Sequence, residues 1–178
     1  MIEIRITVQG EQRLRQAFAD LARSIQDYSP AWEVITRNFQ RAMRGQFGSQ
    51  GARGGKTWAP LSRAYSRWKE RVAPGRPILV LTGDLVLSLI RQTGDTIHEE
   101  QPLSLTLGTK VPYAKYHQTG SKKNKRLPAR PPLVLTDQDY RDMSTNLTSY
   151  SAEFALNAGF QMTNYRAGKM RLGRKRGR

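Results

Sequence analysis

Glycine and proline positions constrain this fold more than any other feature of the sequence. They interrupt the chain repeatedly through its middle. Because proline and glycine end regular elements, this region is predicted to hold short elements joined by loops. The breaks are a glycine-rich loop at 48–62, Ala73-Pro74-Gly75, Pro77, Gln101-Pro102 and Pro128–Pro132.

Long helices are predicted on either side of that region. Apolar residues fall at helical spacing from Glu11 to Ile25, and a second apolar stripe runs to about Phe47. Ser29 is the predicted N-cap of this second helix, with proline at its first position. A third helix is predicted from Thr136, as N-cap, to about Asn157. The apolar positions are Leu14, Ala17, Phe18, Leu21, Ala22 and Ile25, then Trp32, Ile35, Phe39 and Met43.

Alternating apolar and polar residues predict strands. Apolar and polar residues alternate along Ile2–Val8, which predicts one strand. Two further strands are predicted at Thr93–Glu99 and Leu103–Thr109, joined as a hairpin by a turn at Gln101-Pro102. Short helices are expected from Arg63 to Arg71, from Thr82 or Asp84 to Ile90, and over Tyr113–Gln118.

The predicted class is α+β, a small antiparallel sheet packed with several helices, with long N-terminal and C-terminal helices and flexible loops. Residues 1–158 are expected to form one domain, and residues 159–178 a basic C-terminal arm.

The charge balance indicates the kind of partner. The chain has 30 Lys and Arg against 14 Asp and Glu, a net charge of +16, so an anionic or acidic partner is expected. The absence of cysteine excludes disulfides, thiol catalysis and thiolate metal sites. No apolar run approaches the ~20 residues that span a bilayer, and the N-terminus lacks a signal-peptide pattern. We therefore expect no membrane contact and a cytoplasmic location at synthesis.

Candidate catalytic groups do not form a set. His98 is followed by two glutamates, but no further ligand spacing accompanies them, which favours a solvated strand end. His117 has neither an orienting carboxylate nor a nucleophile nearby in sequence, and Asp84 suits a helix cap. The glycine-rich loop nearly matches a phosphate loop, but Gln50 replaces its first glycine and a helix precedes it. We expect no enzyme activity, no cofactor and no metal.

Basic clusters are the stronger signal. Arg37, Arg41 and Arg44 are spaced to share one helix face, as phosphate contacts often are. No sequence-recognition motif accompanies them, so any nucleic-acid contact should be sequence-independent. A solvated face and a solubilising tail remain the alternatives. The other candidates for nucleic acid or an acidic partner are Arg53, Lys56, Arg171, Arg174, Lys175, Arg176 and Arg178.

The stretch from Tyr113 to Pro132 is the predicted partner-binding segment. Tyr113 and His117 are expected to anchor a turn, Gly120 to free the chain, and four cations beyond it to meet a partner. Replacing those four cations with serine should impair assembly and leave folding intact. The predicted contacts are Tyr113, His117, Gln118, Gly120, Lys122, Lys123, Lys125, Arg126 and Arg130.

An ordered series of motifs resembles the phage virion morphogenesis family, the tail completion proteins of Mu-like phages and their relatives. The resemblance covers roughly residues 30 to 155. Two positions depart from the family pattern: Thr119, where a bulky residue is common, and Pro132-Leu-Val, where an aromatic-Leu-Gly run is usual. The motifs are Trp58-Ala-Pro-Leu-Ser62 with Tyr65 and Lys69, Ile78–Leu85 with Ser88-Leu-Ile90, Val111-Pro-Tyr-Ala114, His117-Gln118 with Gly120, and Leu127-Pro-Ala-Arg-Pro131.

The resemblance implies a structural, non-enzymatic protein that acts at the head–tail junction or the tail end. It also implies a homo-oligomeric ring, expected to be a hexamer, and contacts with other neck, head-completion and tail proteins. Packaged DNA is a further expected partner, through backbone contacts. The resemblance further implies that the protein assembles in the host cytoplasm and ends in the neck or tail of the virion. A sequence-independent nucleic-acid-binding protein is the alternative.

Overall fold

The structure is a computed structural model that describes residues 26–121 and 127–157, with residues 16, 19 and 22 described individually. Of the four predicted loop cations, Lys122, Lys123, Lys125 and Arg126, none falls within those ranges. The predicted strand at Ile2–Val8 and the basic arm at 159–178 also lie outside them. Within the predicted first helix, Gln16, Ala19 and Ala22 are helical and exposed, as is Gln26 just beyond its predicted end.

Five helices and one two-stranded antiparallel sheet occur within the described residues, which confirms the predicted α+β class. The helices are α1 (Ser29–Gly48), α2 (Arg63–Val72), α3 (Asp84–Ile90), α4 (Ala114–Thr119) and α5 (Asp137–Asn157). The strands are β1 (Thr96–Gln101) and β2 (Ser104–Thr109), and a 3-10 turn spans Ala52–Gly54.

The predicted hairpin forms, with its first strand displaced along the chain. Gln101 pairs with Ser104, so Pro102 and Leu103 form a two-residue turn. Strand β1 begins at Thr96 and not at Thr93, because Thr93 belongs to the turn after α3. The Thr93 carbonyl accepts the Thr96 amide at 3.1 Å, and the Thr96 hydroxyl donates to the Arg91 carbonyl at 2.9 Å.

The start of α1 differs from the prediction in its cap. Ser29 is the first helical residue, and its amide donates to the Asp27 carboxylate at 2.8 Å. The carboxylate two residues upstream therefore satisfies an amide at the open end of the helix.

The predicted apolar stripe of α1 forms the core. Phe39, Met43 and Phe47 are buried, and Leu85 and Leu89 of α3 pack against them. Burial of each such side chain contributes roughly 1.5–3 kcal/mol. The C-terminal half of helix α5 packs on the start of α1. There the hydroxyl of Tyr28 lies 2.9 Å from the hydroxyl of Ser151.

Two residues of the glycine-rich loop, Gly51 and Trp58, are buried against this core, whereas Ala52 and residues 54–57 are exposed. Gly51 is buried with φ of 89°, and Trp58 donates its amide to the Gln50 carbonyl at 2.7 Å. The indole of Trp58 is also buried and donates to the Pro131 carbonyl at 3.1 Å. The same carbonyl accepts the Gln46 amide at 3.0 Å, so three distant segments meet at one backbone oxygen.

Candidate docking cleft

A cleft of about 580 Å³ opens between α2, the segment before α3, and α4. We call it the docking cleft. Leu61 and Tyr65 form one wall, the segment 79–82 a second, and Tyr113 with His117 a third, while Arg130 lies at its base.

A strained turn forms the second wall. The Pro77 carbonyl accepts the Val80 amide at 3.1 Å, and Leu79 between them has φ of 63°. That turn position usually holds glycine or asparagine, because a branched side chain is strained at positive φ. Gln50 holds the turn by accepting the Ile78 amide at 2.9 Å, and Leu79 packs on the core. Strain of roughly 1–3 kcal/mol at such a site is often tied to function.

Lys69 ties α2 to this turn. It is the one buried residue of α2, and its ammonium group donates to the Pro77 carbonyl. Burial lowers the pKa of Lys69, and the charge of Arg76 lowers it further. Every other residue of α2 is exposed, so the helix is attached through a single side chain and leaves its aromatic residues open.

Arg130 is a contact within the chain. It is 5% exposed, and its guanidinium donates to the Ala59 and Pro60 carbonyls at 2.7 and 2.8 Å. Its amide donates to the His117 carbonyl at 2.7 Å. Burial lowers the pKa of the Arg130 guanidinium. Arg130 therefore joins the last motif of the chain to the first and the fourth, and its partner contact stays a prediction.

Gln118 and Gly120 are also used within the chain. The Gln118 side-chain amide donates to the Leu133 carbonyl at 2.9 Å and accepts the Leu133 amide at 3.2 Å. Gly120 has φ of 73°, and a Cβ there would lie 2.9 Å from the Ala129 amide nitrogen. The predicted free hinge is therefore a close approach of two backbone segments.

His117 is half-buried and lies against the ring of Tyr113, with centroids 6.0 Å apart. Burial lowers the pKa of His117, and the positive charge of Arg130 adds to that effect. Its Nδ1 is buried and has no hydrogen-bond partner among the described residues. Without an orienting hydrogen bond at Nδ1 among the described residues, His117 lacks the partner that positions a general base.

Tyr113 and Asp84 mark the open side of the cleft. Burial raises the pKa of Tyr113, and the negative charge of Asp84 raises it further. Asp84 is the first residue of α3 and accepts the Thr82 hydroxyl at 2.6 Å. The predicted cap position belongs to Gly83, whose φ of 109° no branched residue adopts easily.

Exposed aromatic side chains surround the cleft. Tyr65 and Trp68 of α2 lie 5.2 Å apart and are 42% and 40% exposed, and Leu81 and Tyr113 are exposed as well. Tyrosine and tryptophan are the residues that most often anchor protein interfaces. An apolar patch of this kind typically marks a docking surface.

The predicted basic face has mixed geometry. Arg37, Arg41 and Arg44 are all exposed on α1, as their spacing predicts. Arg37 forms an ion pair with Glu33, and Arg44 donates to the Ile90 carbonyl at 3.1 Å.

Arg53 and Lys56, the two basic residues of the glycine-rich loop, differ in their contacts. Arg53 pairs with Asp139 of α5, so the acidic partner expected for it lies in its own chain. Lys56 is exposed. No spacing rule could have shown the pair, because its residues are 86 positions apart.

His98, the other histidine considered for catalysis, has no catalytic set around it among the described residues. His98 is half-buried, contacts Glu100 at 2.9 Å and shares a 2.8 Å hydrogen bond with Gln92. No cluster of His, Asp and Glu that could hold a metal ion occurs in the described part of the chain. In those same ranges no helix has the length and apolar character needed to cross a membrane.

The fold is a small α+β domain that carries an exposed cleft with aromatic residues at its rim. The phage virion morphogenesis family matches residues 10–150, so the chain belongs to this family. A curated relative, the Mu-like prophage FluMu G protein 2 of Haemophilus influenzae, is 28% identical over 154 residues, which cover 84% of this chain and 96% of that protein. No solved structure matches the chain. The protein therefore takes part in phage particle morphogenesis.

The motifs that carry the family resemblance converge on the docking cleft. Tyr65 and Lys69 come from the first motif, Leu79 from the second, Tyr113 from the third and Arg130 from the last, and all of them line it. The sequence alone placed these motifs in order along the chain but not in one site.

Proposed function

We propose that this protein is a structural subunit of the phage neck or tail end, acting in tail completion or head–tail joining. The observation that carries the proposal is the convergence of the family's motifs on one exposed, aromatic-rimmed cleft. A cleft without a catalytic set among the described residues, in a protein of virion morphogenesis, fits docking better than turnover.

The proposed assembly is a homo-oligomeric ring, expected to be a hexamer that matches tail symmetry. Its other partners are neck, head-completion and tail proteins, which it meets in the host cytoplasm before it becomes part of the virion. Ring closure requires head-to-tail contacts, in which two different surfaces of the subunit meet. The basic charge of the chain suits acidic neighbours or the backbone of packaged DNA.

Deletion of the gene tests this function. Electron microscopy of the lysate should show full heads and separate tails that do not join, or tails of abnormal end structure. Complementation with the wild-type gene in trans should restore joined particles. Normal joined virions from the deletion strain would contradict the proposal.

Sequence-independent nucleic-acid binding is the second candidate function. It is favoured by the exposed face of Arg37, Arg41 and Arg44 on α1. Of these side chains, Arg37 is already paired with Glu33. Because a pre-existing ion pair competes with phosphate contact, this face is expected to bind DNA weakly and in a salt-dependent way.

A further inference from the structure

The β1–β2 turn is an exposed acidic and apolar projection. Glu99 and Glu100 are exposed, and Leu103 is 64% exposed, more than any other large apolar side chain among the described residues. The turn is held rigidly, because the Pro102 carbonyl accepts the Tyr28 amide at 2.7 Å and the Gln101 carbonyl accepts the Trp32 indole at 2.8 Å. A rigid projection loses little conformational entropy when it binds. We call residues 99–103 the hairpin tip.

The hairpin tip and the docking cleft lie at opposite ends of α1. The tip contacts Tyr28 and Trp32 at the start of the helix, whereas the strained turn of the cleft is held by Gln50 just beyond its end. Helix α1 has 20 residues, so the two surfaces are separated by about 30 Å along its axis. They cannot meet within one copy of the chain, but they can meet between copies.

Their charges are complementary. Residues 92–109, which include the hairpin, contain Asp95, Glu99 and Glu100 but no lysine or arginine. Helix α2, which supplies one wall of the cleft, carries exposed Arg63, Arg67 and Arg71 against one acid, Glu70. Lys69 and Arg130 line the cleft but are buried and already donate to carbonyls, so the accessible positive charge is that of the α2 arginines beside it. Asp84 adds one carboxylate to the described lining.

Shape and polarity agree with this charge pattern. Leu79, Leu81, Tyr65 and Tyr113 give the cleft apolar walls, and its volume of about 580 Å³ can hold a branched side chain together with a short turn. Leu103 supplies an apolar side chain with little cover in its own chain.

We propose that successive copies of the chain join head to tail, with the hairpin tip of one copy seated in the docking cleft of the next. This contact rests on the proposed function as a ring subunit and assigns the two surfaces that form the ring. The contact is heterologous, because it joins two different surfaces. It closes into a ring when the rotation that relates neighbouring copies is a whole fraction of 360°. Glu99 faces the arginines of α2 beside the cleft, and Leu103 enters between its apolar walls.

Crosslinking tests the contact directly, because the chain has no cysteine and introduced thiols are the only ones present. Leu103→Cys and Leu81→Cys are combined in one full-length chain and treated with a short bis-maleimide. Both positions are exposed, so both variants are expected to fold. The expected result is a ladder of dimers, trimers and larger species that ends at the ring size.

Mixing the single variants sharpens the test. An equimolar mixture of Leu103→Cys and Leu81→Cys should give dimers only, since each chain then offers one reactive surface. Either variant alone should give no crosslink. A dimer from Leu81→Cys alone would show a symmetric contact and would overturn the proposal.

The matched control pairs Leu81→Cys with Tyr140→Cys. Tyr140 is 60% exposed on α5 and belongs to neither surface. This chain should yield at least about tenfold less crosslinked product than the Leu81→Cys and Leu103→Cys chain. Equal ladders would mean random collision, and no ladder from the folded test chain would mean that another protein occupies the cleft; either result overturns the contact.

The outcome is separable from the proposed function. If the gene deletion blocks head–tail joining but the ladder is absent, the morphogenetic role stands and the proposed contact fails. If the ladder forms but the deletion strain makes normal virions, the chain self-associates and the proposed role fails.

Discussion

At the residue scale, the backbone of the glycine-rich loop depends on one glycine more than on its neighbours. Gly51 and Gly55 both have left-handed φ, at 89° and 87°. A Cβ on Gly51 would lie 2.4 Å from the Trp58 ring, whereas a Cβ on Gly55 meets nothing within 4 Å. The two positions therefore separate backbone strain from packing.

Gly55→Ala is expected to destabilise the fold by about 1–2 kcal/mol, the cost of left-handed backbone for a residue with Cβ. Gly51→Ala should cost roughly a further 1–3 kcal/mol, because the indole has to move out of the core. Urea unfolding of the two variants measures the difference. Equal losses would show that the loop readily repacks around Trp58.

Asp139 is the acid on which the start of α5 depends. It accepts the Thr136 amide and the Thr136 hydroxyl, each at 2.7 Å, and pairs with Arg53. Burial raises the pKa of the Asp139 carboxyl, but the hydrogen bonds from Arg53 and Thr136 outweigh it and leave the pKa below its usual value. The charged form is therefore favoured in the folded state.

Asp139→Asn is expected to lower the free energy of unfolding by roughly 1–3 kcal/mol at neutral pH. Because the pKa of the Asp139 carboxyl is lower in the folded state, its charged form stabilises the fold. This contribution is complete above the unfolded-state pKa of about 3.9 and is lost as the pH falls through the folded-state pKa. The difference between wild type and variant should therefore shrink below about pH 4. Urea unfolding at several pH values measures it, with Asp142→Asn, on the exposed side of α5, as the control. A difference that stays constant as the pH falls well below about 4 would contradict the assigned role.

At the scale of elements, α2 is attached through Lys69 while the other helices share the core. Lys69 is buried and bonded to the Pro77 carbonyl, whereas Arg67 on the same helix is exposed. An element held by so few contacts opens locally at low cost.

Lys69→Ala is expected to loosen α2 without unfolding the rest. Loss of the hydrogen bond, worth roughly 1.4 kcal/mol, should raise hydrogen exchange of the α2 amides about tenfold. Amides of α1 should be little changed. Arg67→Ala is the matched control and should leave both rates unaltered. Uniform acceleration across the chain would place Lys69 in the global core.

At the scale of the whole molecule, charge alone does not tell which basic face meets nucleic acid. Arg37, Arg41 and Arg44 lie exposed on α1, and Arg63, Arg67 and Arg71 lie exposed on α2. Each set carries three cations, so glutamine variants of the two sets change the net charge equally.

Glutamine at Arg37, Arg41 and Arg44 is expected to flatten the salt dependence of DNA binding. The slope of log K against log salt should fall by about 0.9 for each phosphate that the variant no longer neutralises. Fluorescence anisotropy with duplex DNA at several salt concentrations measures it. The α2 variant should change the slope less. Equal changes would mean that binding follows net charge and not one face.

The sequence by itself determined the local elements and the family. Periodicity placed α1 and the hairpin to within a few residues, because burial on one face imposes its spacing on the chain. The capping signal at Thr136 placed α5 equally closely. It also showed that His98 and His117 lack the sequence neighbours that catalysis needs.

Only the tertiary structure decided what the motifs do. Arg130 and Gln118, which were predicted to meet a partner, bond within the chain to Ala59 and Leu133, and Arg53 pairs with Asp139. These contacts join residues far apart in the chain, and spacing carries no information about such pairs. The partner contacts of Arg130 and Gln118 stay predictions. The cleft exists because folding brings separated segments together, while each segment alone shows only its own local preference.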